Sequence, residues 1–442
     1  MFFFFHLYYY NLFSNSMLKD FYNSVIERGF LHQSTDEKGI KQTLSKETTG
    51  YIGFDCTSDS LHVGSLLPLM LLRLFQKSGH KPIILVGGGT TLIGDPSGKD
   101  ETRKILKKND IDLNKKKLKA IFKKFLSFDE SKSNCAIIVD NYEWLCKLNL
   151  ISFLRDIGSK FSINRMLGLE SIKQRLKREQ HLSFLEFNYS IFQAYDFMVL
   201  NQKYDCKIQF GGSDQWGNIV SGIDLIKKEK NEQVYGLTSP LITSATGKKM
   251  GKTNTGAVWL SESKFSVMDF WQYWRNTDDK DVIKFLKLFT EIEIHEIENY
   301  KNFKGSELNK LKVLLANEVT TLCHSKDKAK YVEVESKKIR DSVDIDSNII
   351  EECKKKILIK KEALNKGISL KQILIDLDLS NSNGESKRLI EQGAVKINQI
   401  VVEDKDICIT KENFIAHPKK KESFYSIVFV GKKRYGLIEL VS

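Results

Sequence analysis

The stretch "DCTSDSLHVGSLLPLM" (Asp55–Met70) sets a histidine, a glycine and a serine at the threshold of an apolar run that reads as a helix. A helix start presents unpaired backbone N–H groups and a positive dipole end. "HVGS" (His62–Ser65) therefore either caps and packs, or receives an anion such as a phosphate. Far along the chain, "KKMGKT" (Lys248–Thr253) forms a polar, glycine-bearing loop. Neither segment is specific alone. Together, in this order and on a strand–helix frame, they suit activation of a carboxylate by ATP, in which negative charge grows on the α-phosphate and on the departing pyrophosphate. Stabilising that charge takes a positioned donor on one side and mobile lysines on the other.

Three further stretches carry polar groups at telling spacings. In "NYSIFQAYDF", Tyr189, Gln193 and Asp196 fall at i, i+4 and i+7 and share one helix face. A packing stripe at this spacing would be apolar, whereas this one is polar throughout. "GGSDQWGN" follows the strand-like "CKIQF". There Gly211 and Gly212 let a ligand approach the backbone closely, and Asp214 suits a ribose hydroxyl as acidic residues do in dinucleotide folds. A simple turn is the competing reading. "IGDPSGKDETR" looks like a phosphate-binding P-loop but is not one, because Gly94 and Gly98 are wrongly spaced and Lys99 precedes Asp100 rather than Ser or Thr.

The elements that must hold these residues alternate. "TGYIGFD", "KPIILVGGGT" and "NCAIIVDN" read as strands, with helices over 61–78 and 148–157. Strand–helix alternation predicts a parallel, Rossmann-like sheet with ligands at the carboxyl ends of its strands. Beyond "GAVWL" the pattern turns helical over 267–340. A Lys-rich stretch, "EECKKKILIKKEALNKG", then leads to a small α+β tail with the strand-like pieces "AVKINQIVV" and "ESFYSIVFVGKKRYGLIEL". The expected domains are a catalytic α/β domain over 17–260, a helical domain over 261–345, a linker over 346–365 and a tail domain over 366–442. No internal repeat is visible.

Composition narrows the class. The chain has 442 residues, more than one ordinary domain holds, and is 41% hydrophobic and 28% charged, as globular chains are. A formal net charge of +13 fits a nucleic-acid or other anionic partner, or equally a lysine-rich solvated surface. Seven scattered cysteines with no C-x-x-C argue against a zinc site or a disulfide framework and for a reducing compartment. The opening "MFFFFHLYYYNLFSNS" is too short to span a bilayer and lacks the leading basic residue of a signal peptide. No arginine precedes Arg28, which speaks against a mitochondrial presequence. Residues 1–16 are accordingly expected to be a disordered or mis-assigned extension before a start at Met17.

"HVGS" and "KKMGKT" resemble the HIGH and KMSKS signatures of class I aminoacyl-tRNA synthetases. "YIGFDCTSDSLHVG", "LIGDPSGK", "NYSIFQAYDF" and "IQFGGSDQWGN" resemble the bacterial-type tyrosyl-tRNA synthetases in particular, and the similarity runs from about Met17 to the C-terminus. The resemblance implies a tyrosine pocket in which Tyr51 and Asp196 hold the phenol. Asp95, Tyr189 and Gln193 would grip the ammonium, and Gln209 would face the carboxyl group. For ATP it implies Gly53, Asp55, His62, Gly64, Ser65, Gly211, Gly212, Asp214, Gln215, Lys249, Met250 and Lys252. Thr57, His62, Lys99, Arg103, Lys249, Lys252 and Thr253 would meet the phosphates. Ser65 departs from the longer His or Asn usual at the fourth signature position, so any ribose contact there is lost or made through water.

Within the tail, "SNGESKRLIEQGAVKINQIVVED" resembles the αL RNA-binding motif, with Lys387 and Arg388 at a helix start and Lys396 beyond as phosphate contacts. The expectation is then a homodimeric ligase that takes L-tyrosine, ATP with Mg²⁺ and tRNA-Tyr, with no tightly bound protein metal and no membrane association. The expected location is the bacterial cytoplasm, with a mitochondrial or plastid matrix as the alternative. Two rivals share the frame: a tryptophanyl enzyme, and an RNA-binding protein built on a retired synthetase.

Overall fold

The structure is a computed structural model that describes residues 21–95, 106–243, 250–253, 256–341, 350, 353, 355–398, 400–417, 423–431 and 434–441. The expectations for residues 1–16 and for Lys99, Arg103 and Lys249 lie outside the described residues. The side chains of Lys252 and Thr253 do so too. The chain divides into two compact units. The first runs to Phe265 and adds Thr277–Leu311, and the second holds Ser266–Asn276 and the chain from Lys312 onward.

The first unit is built on a six-stranded sheet. Its strands are β1 (Gln33–Ser34), β2 (Thr49–Asp55), β3 (Lys81–Gly87), β4 (Ile137–Asp140), β5 (Cys206–Gly212) and β6 (Tyr235–Ser239), in the order β1-β6-β5-β2-β3-β4. All neighbouring strands are parallel except the two-residue edge strand β1, which runs against β6. Strand β3, "KPIILVG", is apolar nearly throughout because helices cover both faces of a parallel sheet. After β4 the chain crosses back to lay β5 on the other side of β2. The order therefore reverses between β2 and β5, and a crevice opens at their carboxyl ends.

Four helices frame that crevice: α1 (Leu66–Lys77), α2 (Lys108–Phe125), α3 (Tyr189–Tyr204) and α4 (Trp216–Lys230). The helix expected over 61–78 begins with a 3-10 turn, Val63–Ser65, before α1. Helix α3 buries residues around most of its circumference, among them Ile191, Ala194, Phe197 and Leu200. It lies close to α4 because Ala194 and Gly222 face each other; a Cβ on Gly222 would stand 3.0 Å from the Phe197 ring. Helix Val282–Phe289 also belongs to this unit. Its end is capped by Arg28, which donates to the carbonyls of Lys287, Thr290 and Ile292 at 2.9–3.0 Å. The carbonyls of Lys287 and Thr290 are among those that a helix C-terminus leaves unpaired, and Ile292 lies just beyond it. Arg73 grips Glu291 through two hydrogen bonds, and Lys77 joins them. Burial opposes the charge on Glu291, but these two cations bring its pKa down to about 2.

The second unit packs helix Val267–Arg275 against Lys326–Asp341, with Phe270, Trp271 and Trp274 buried. The helical stretch expected as one domain over 261–345 is thus divided between the units, because 277–311 buries its apolar faces against the first. The tail sheet has the order β12-β11-β15-β16-β9, where β9 is Lys356–Lys360, β11 Val395–Ile397, β12 Ile400–Val402, β15 Phe424–Val430 and β16 Arg434–Val441. Strand β9 falls in the stretch expected to be a linker, 346–365. It pairs in parallel with β16 from Lys356–Leu437 to Lys360–Val441. The flanking lysines that made it look like a linker are the charges an edge strand carries against further pairing.

Candidate active site

A cavity of about 500 Å³ opens at the strand ends of the first unit and is lined by residues from all four signature stretches, including Tyr51, Asp55, His62, Gly64, Ser65, Asp95, Tyr189, Gln193, Asp196, Gln209, Gly211, Gly212, Asp214, Gln215 and Met250. Gly53 lines it as well, whereas Thr57 does not and is exposed.

Its deep end is polar and buried. Asp196 is 1% exposed and held at both oxygens: Asn141 Nδ2 donates to Oδ2 at 2.8 Å and Trp144 Nε1 to Oδ1 at 2.7 Å. Burial raises its carboxyl to about 7 against the pull of those two donors. Asn141 is fixed in turn, donating to Thr90 Oγ1 at 3.1 Å while its own oxygen accepts from Gly89 N at 2.8 Å. Thr90 donates to Asp55 Oδ1 at 3.0 Å. Tyr51 and Gln209 sit opposite each other across β2 and β5. The Tyr51 hydroxyl and Gln209 Oε1 are buried with no hydrogen-bond partner among the described residues. Burial, with Asp196 nearby, holds the Tyr51 phenol well above its usual range, so it stays protonated and able to donate. Two such polar atoms in one buried recess call for a polar ligand, since leaving such a group unpaired costs about 1–3 kcal/mol.

Further out, a chain of side-chain amides sets the wall. Gln215 Nε2 donates to Asp95 Oδ2 at 3.0 Å, and Asn218 Nδ2 donates to both Gln193 Oε1 and Gln215 Oε1 at 3.1 Å. Glycines keep the rim open: a Cβ on Gly212 would stand 2.5 Å from Asp214 Oδ1, and one on Gly87 2.4 Å from Asp55 Oδ1.

The two signatures meet here. His62 caps the 3-10 turn with Nδ1, which accepts from Gly64 N at 3.0 Å. A neutral ring then carries its proton on Nε2 and presents a donor there. Gly251, at φ +87°, passes over this turn so closely that a Cβ would stand 3.1 Å from Gly64 N. Backbone hydrogen bonds run from Val63 N to Val258 O, from Val258 N to Gly251 O and from Leu260 N to Leu61 O. His62 is thus a cap, and that cap lies on the cavity wall.

Lys387 and Arg388 are not at a helix start. Helix Asn383–Glu391 is capped by Ser382, and both residues lie mid-helix, exposed. Lys396 is half-buried in β11. The residues that the sequence did not reveal are Asn141, Trp144, Thr90 and Asn218. The one signal for them was that Asn141 ends a strand, where parallel sheets place ligands.

The chain matches the family profile of tRNA synthetases class I (W and Y) over residues 43–340, and that of the tyrosine–tRNA ligase SYY-like C-terminal domain over residues 350–438. It belongs to the class I tRNA synthetases. Its relatives place it more narrowly. It is 48% identical over 428 residues to the tyrosine–tRNA ligase of Pelagibacter ubique, covering 97% of this chain and 100% of that one. It is 46% identical over 422 residues to that of Rickettsia africae, covering 95% and 100%. Among solved structures, a C-terminally truncated mitochondrial tyrosyl-tRNA synthetase from Aspergillus nidulans matches with a TM-score of 0.64 and 27% identity, over 74% of this chain and 99% of that one. A tryptophanyl-tRNA synthetase from Encephalitozoon cuniculi, at 12% identity and a TM-score of 0.52 over 72% of this chain and 91% of that one, shares the fold alone.

Proposed function

We propose that the chain is a tyrosine–tRNA ligase, which activates L-tyrosine with ATP to tyrosyl-adenylate and then esterifies the terminal adenosine of tRNA-Tyr. One observation carries the choice of amino acid: the buried Tyr51 hydroxyl, without a partner among the described residues, lies in the same recess as the doubly held Asp196. A substrate phenol donates to the carboxylate and accepts from the Tyr51 hydroxyl, pairing both groups. An indole N–H can only donate, and a phenyl ring pairs neither. Discrimination of this kind is already known of tyrosyl enzymes, which reject phenylalanine without an editing step.

The remaining roles follow the cavity outward. Asp95, Tyr189 and Gln193 bind the ammonium, and Gln209 faces the carboxyl group. Gly53, Asp55, Gly211 and Gly212 leave room for adenosine, and Asp214 accepts from the ribose, with Gln215 beside the reacting phosphate. The substrate carboxylate itself attacks the α-phosphorus, so no side chain forms a covalent bond. His62, Gly64, Ser65 and Met250 border the phosphate path. Lys99, Arg103, Lys249 and Lys252 neutralise the leaving pyrophosphate and the Thr253 hydroxyl donates to it, with Mg²⁺ arriving on ATP. Thr57, exposed and outside the cavity lining, is a further candidate for the phosphates.

A homodimer is supported by the exposed apolar side chains Leu150, Ile151, Ile163 and Phe184, each at least 65% exposed within a short stretch of the first unit. The tail binds tRNA phosphates, with Lys387, Arg388 and Lys396 as candidates. The bacterial cytoplasm is the proposed location, as the ligases of Pelagibacter ubique and Rickettsia africae are bacterial; no described helix is long and apolar enough to cross a membrane. The whole assignment is tested by charging: the purified chain should attach labelled tyrosine, and not tryptophan, to bulk bacterial tRNA. Tryptophan attachment, or none with either, would refute it.

A further inference from the structure

Asp59 precedes His62 by three residues and does not line the cavity. Its Oδ2 pairs with Lys117 Nζ at 2.7 Å, and its Oδ1 with Lys264 Nζ. Lys117 lies on α2, which starts soon after the stretch carrying Lys99 and Arg103. Lys264 follows the stretch carrying Lys249 and Lys252. The Lys264 ammonium also donates to Ser58 Oγ at 3.2 Å and stands 4.6 Å from the centre of the Trp259 ring. That ring lies edge-on to His62 at 6.4 Å. On the α2 side, Asn114 Nδ2 donates to Cys56 O at 2.8 Å. One carboxylate is therefore the meeting point of three segments: the His62 turn and the anchored flanks of both lysine-bearing stretches. Hydrogen bonds from Lys117 and then Lys264 depress its pKa to about 2, so it is ionised at any physiological pH.

We propose that Asp59 is a positioning residue for amino-acid activation: it ties α2 and the segment around Lys264 to the His62 turn, so that His62 stays in register on the cavity wall. The proposal rests on the function argued above. A donor such as His62 that meets charge developing in the transition state affects kcat; the tyrosine recess, whose lining does not include Asp59, governs tyrosine affinity. An ordinary surface pair would do neither.

Asp59→Asn, nearly isosteric, separates these cases in the full chain. In tyrosine-dependent pyrophosphate exchange, kcat should fall about tenfold while the KM for tyrosine stays within about twofold, and Asp59→Glu should restore part of the rate. In a Lys117→Met/Lys264→Met background, Asp59→Asn should cost nothing further. Without any substrate, hydrogen exchange of the α2 amides near Lys117 and of residues 258–264 should quicken in Asp59→Asn. An unchanged kcat, a KM rising in step with the rate loss, or an equal loss in the double-lysine background would each overturn the proposal. Should the unaltered chain exchange no pyrophosphate with tyrosine, the functional assignment falls, and the hydrogen-exchange comparison still decides whether Asp59 ties the segments.

Discussion

Asp196→Asn should cut the preference for tyrosine over phenylalanine at least about tenfold, measured as the ratio of kcat/KM in pyrophosphate exchange. A hydrogen bond to a charged group is worth about 1.5–3 kcal/mol, and the change removes it for tyrosine alone. The substitution also turns one acceptor into a donor, which must then face Asn141 Nδ2 or Trp144 Nε1, both already donating to this side chain. A pH signature should accompany it. Burial raises the Asp196 carboxyl to about 7, and the phenol needs the ionised form as acceptor. Tyrosine affinity should therefore rise from pH 6 to pH 8 in the unaltered chain and stay flat in Asp196→Asn. For folding the sign is opposite. An acid whose folded pKa lies above its unfolded value binds more protons when folded, so its contribution to stability falls as pH climbs from about 4 to about 7. Unchanged selectivity and an unchanged pH profile would put the phenol elsewhere.

Ending the chain before residue 350 should separate the two half-reactions. Every residue lining the cavity belongs to the first unit, so pyrophosphate exchange should stay within a few-fold. Charging should fall on the order of a hundredfold, the effect of losing one of two linked binding modules, and the salt dependence of tRNA binding should flatten as phosphate contacts are lost. The cut lies earlier than the apparent start of the tail because β9 is part of the tail sheet, and a later cut would strand it without β16. Some stability should also go, as Cys353 and Tyr435 are half-buried within the second unit, where burial, with Asp269 nearby, raises their pKa values. The Aspergillus nidulans neighbour was solved in C-terminally truncated form. Normal charging by the shortened chain would contradict an RNA-binding tail, and loss of exchange would make the tail a structural support.

The Rossmann-like frame was legible because its signals are local: alternating apolar strands, glycines at strand ends and a polar i, i+4, i+7 stripe on α3. The cavity's rim and most of its lining followed from four short motifs. What stayed hidden is the layer behind. Asn141 and Trp144 touch Asp196 across more than fifty residues of chain, and neither spacing nor composition marks a buried donor whose partner comes from another helix. Lys387 and Arg388 were misplaced by one helical turn because Ser382, an ordinary N-cap serine, sets the boundary. The division of the helical stretch at 277–311 depends on Arg28 and Glu291, whose partners are far away in sequence.

The most direct test of the central claim is ATP–pyrophosphate exchange by the full chain with tyrosine, tryptophan and phenylalanine supplied singly. The pairing of one phenol with Asp196 and Tyr51 predicts rapid exchange with tyrosine and none measurable with tryptophan. Exchange with phenylalanine should be lower by a factor on the order of 10⁴–10⁵, the discrimination already known of tyrosyl enzymes. Exchange with tryptophan equal to or above that with tyrosine, or no exchange with any of the three, would contradict it.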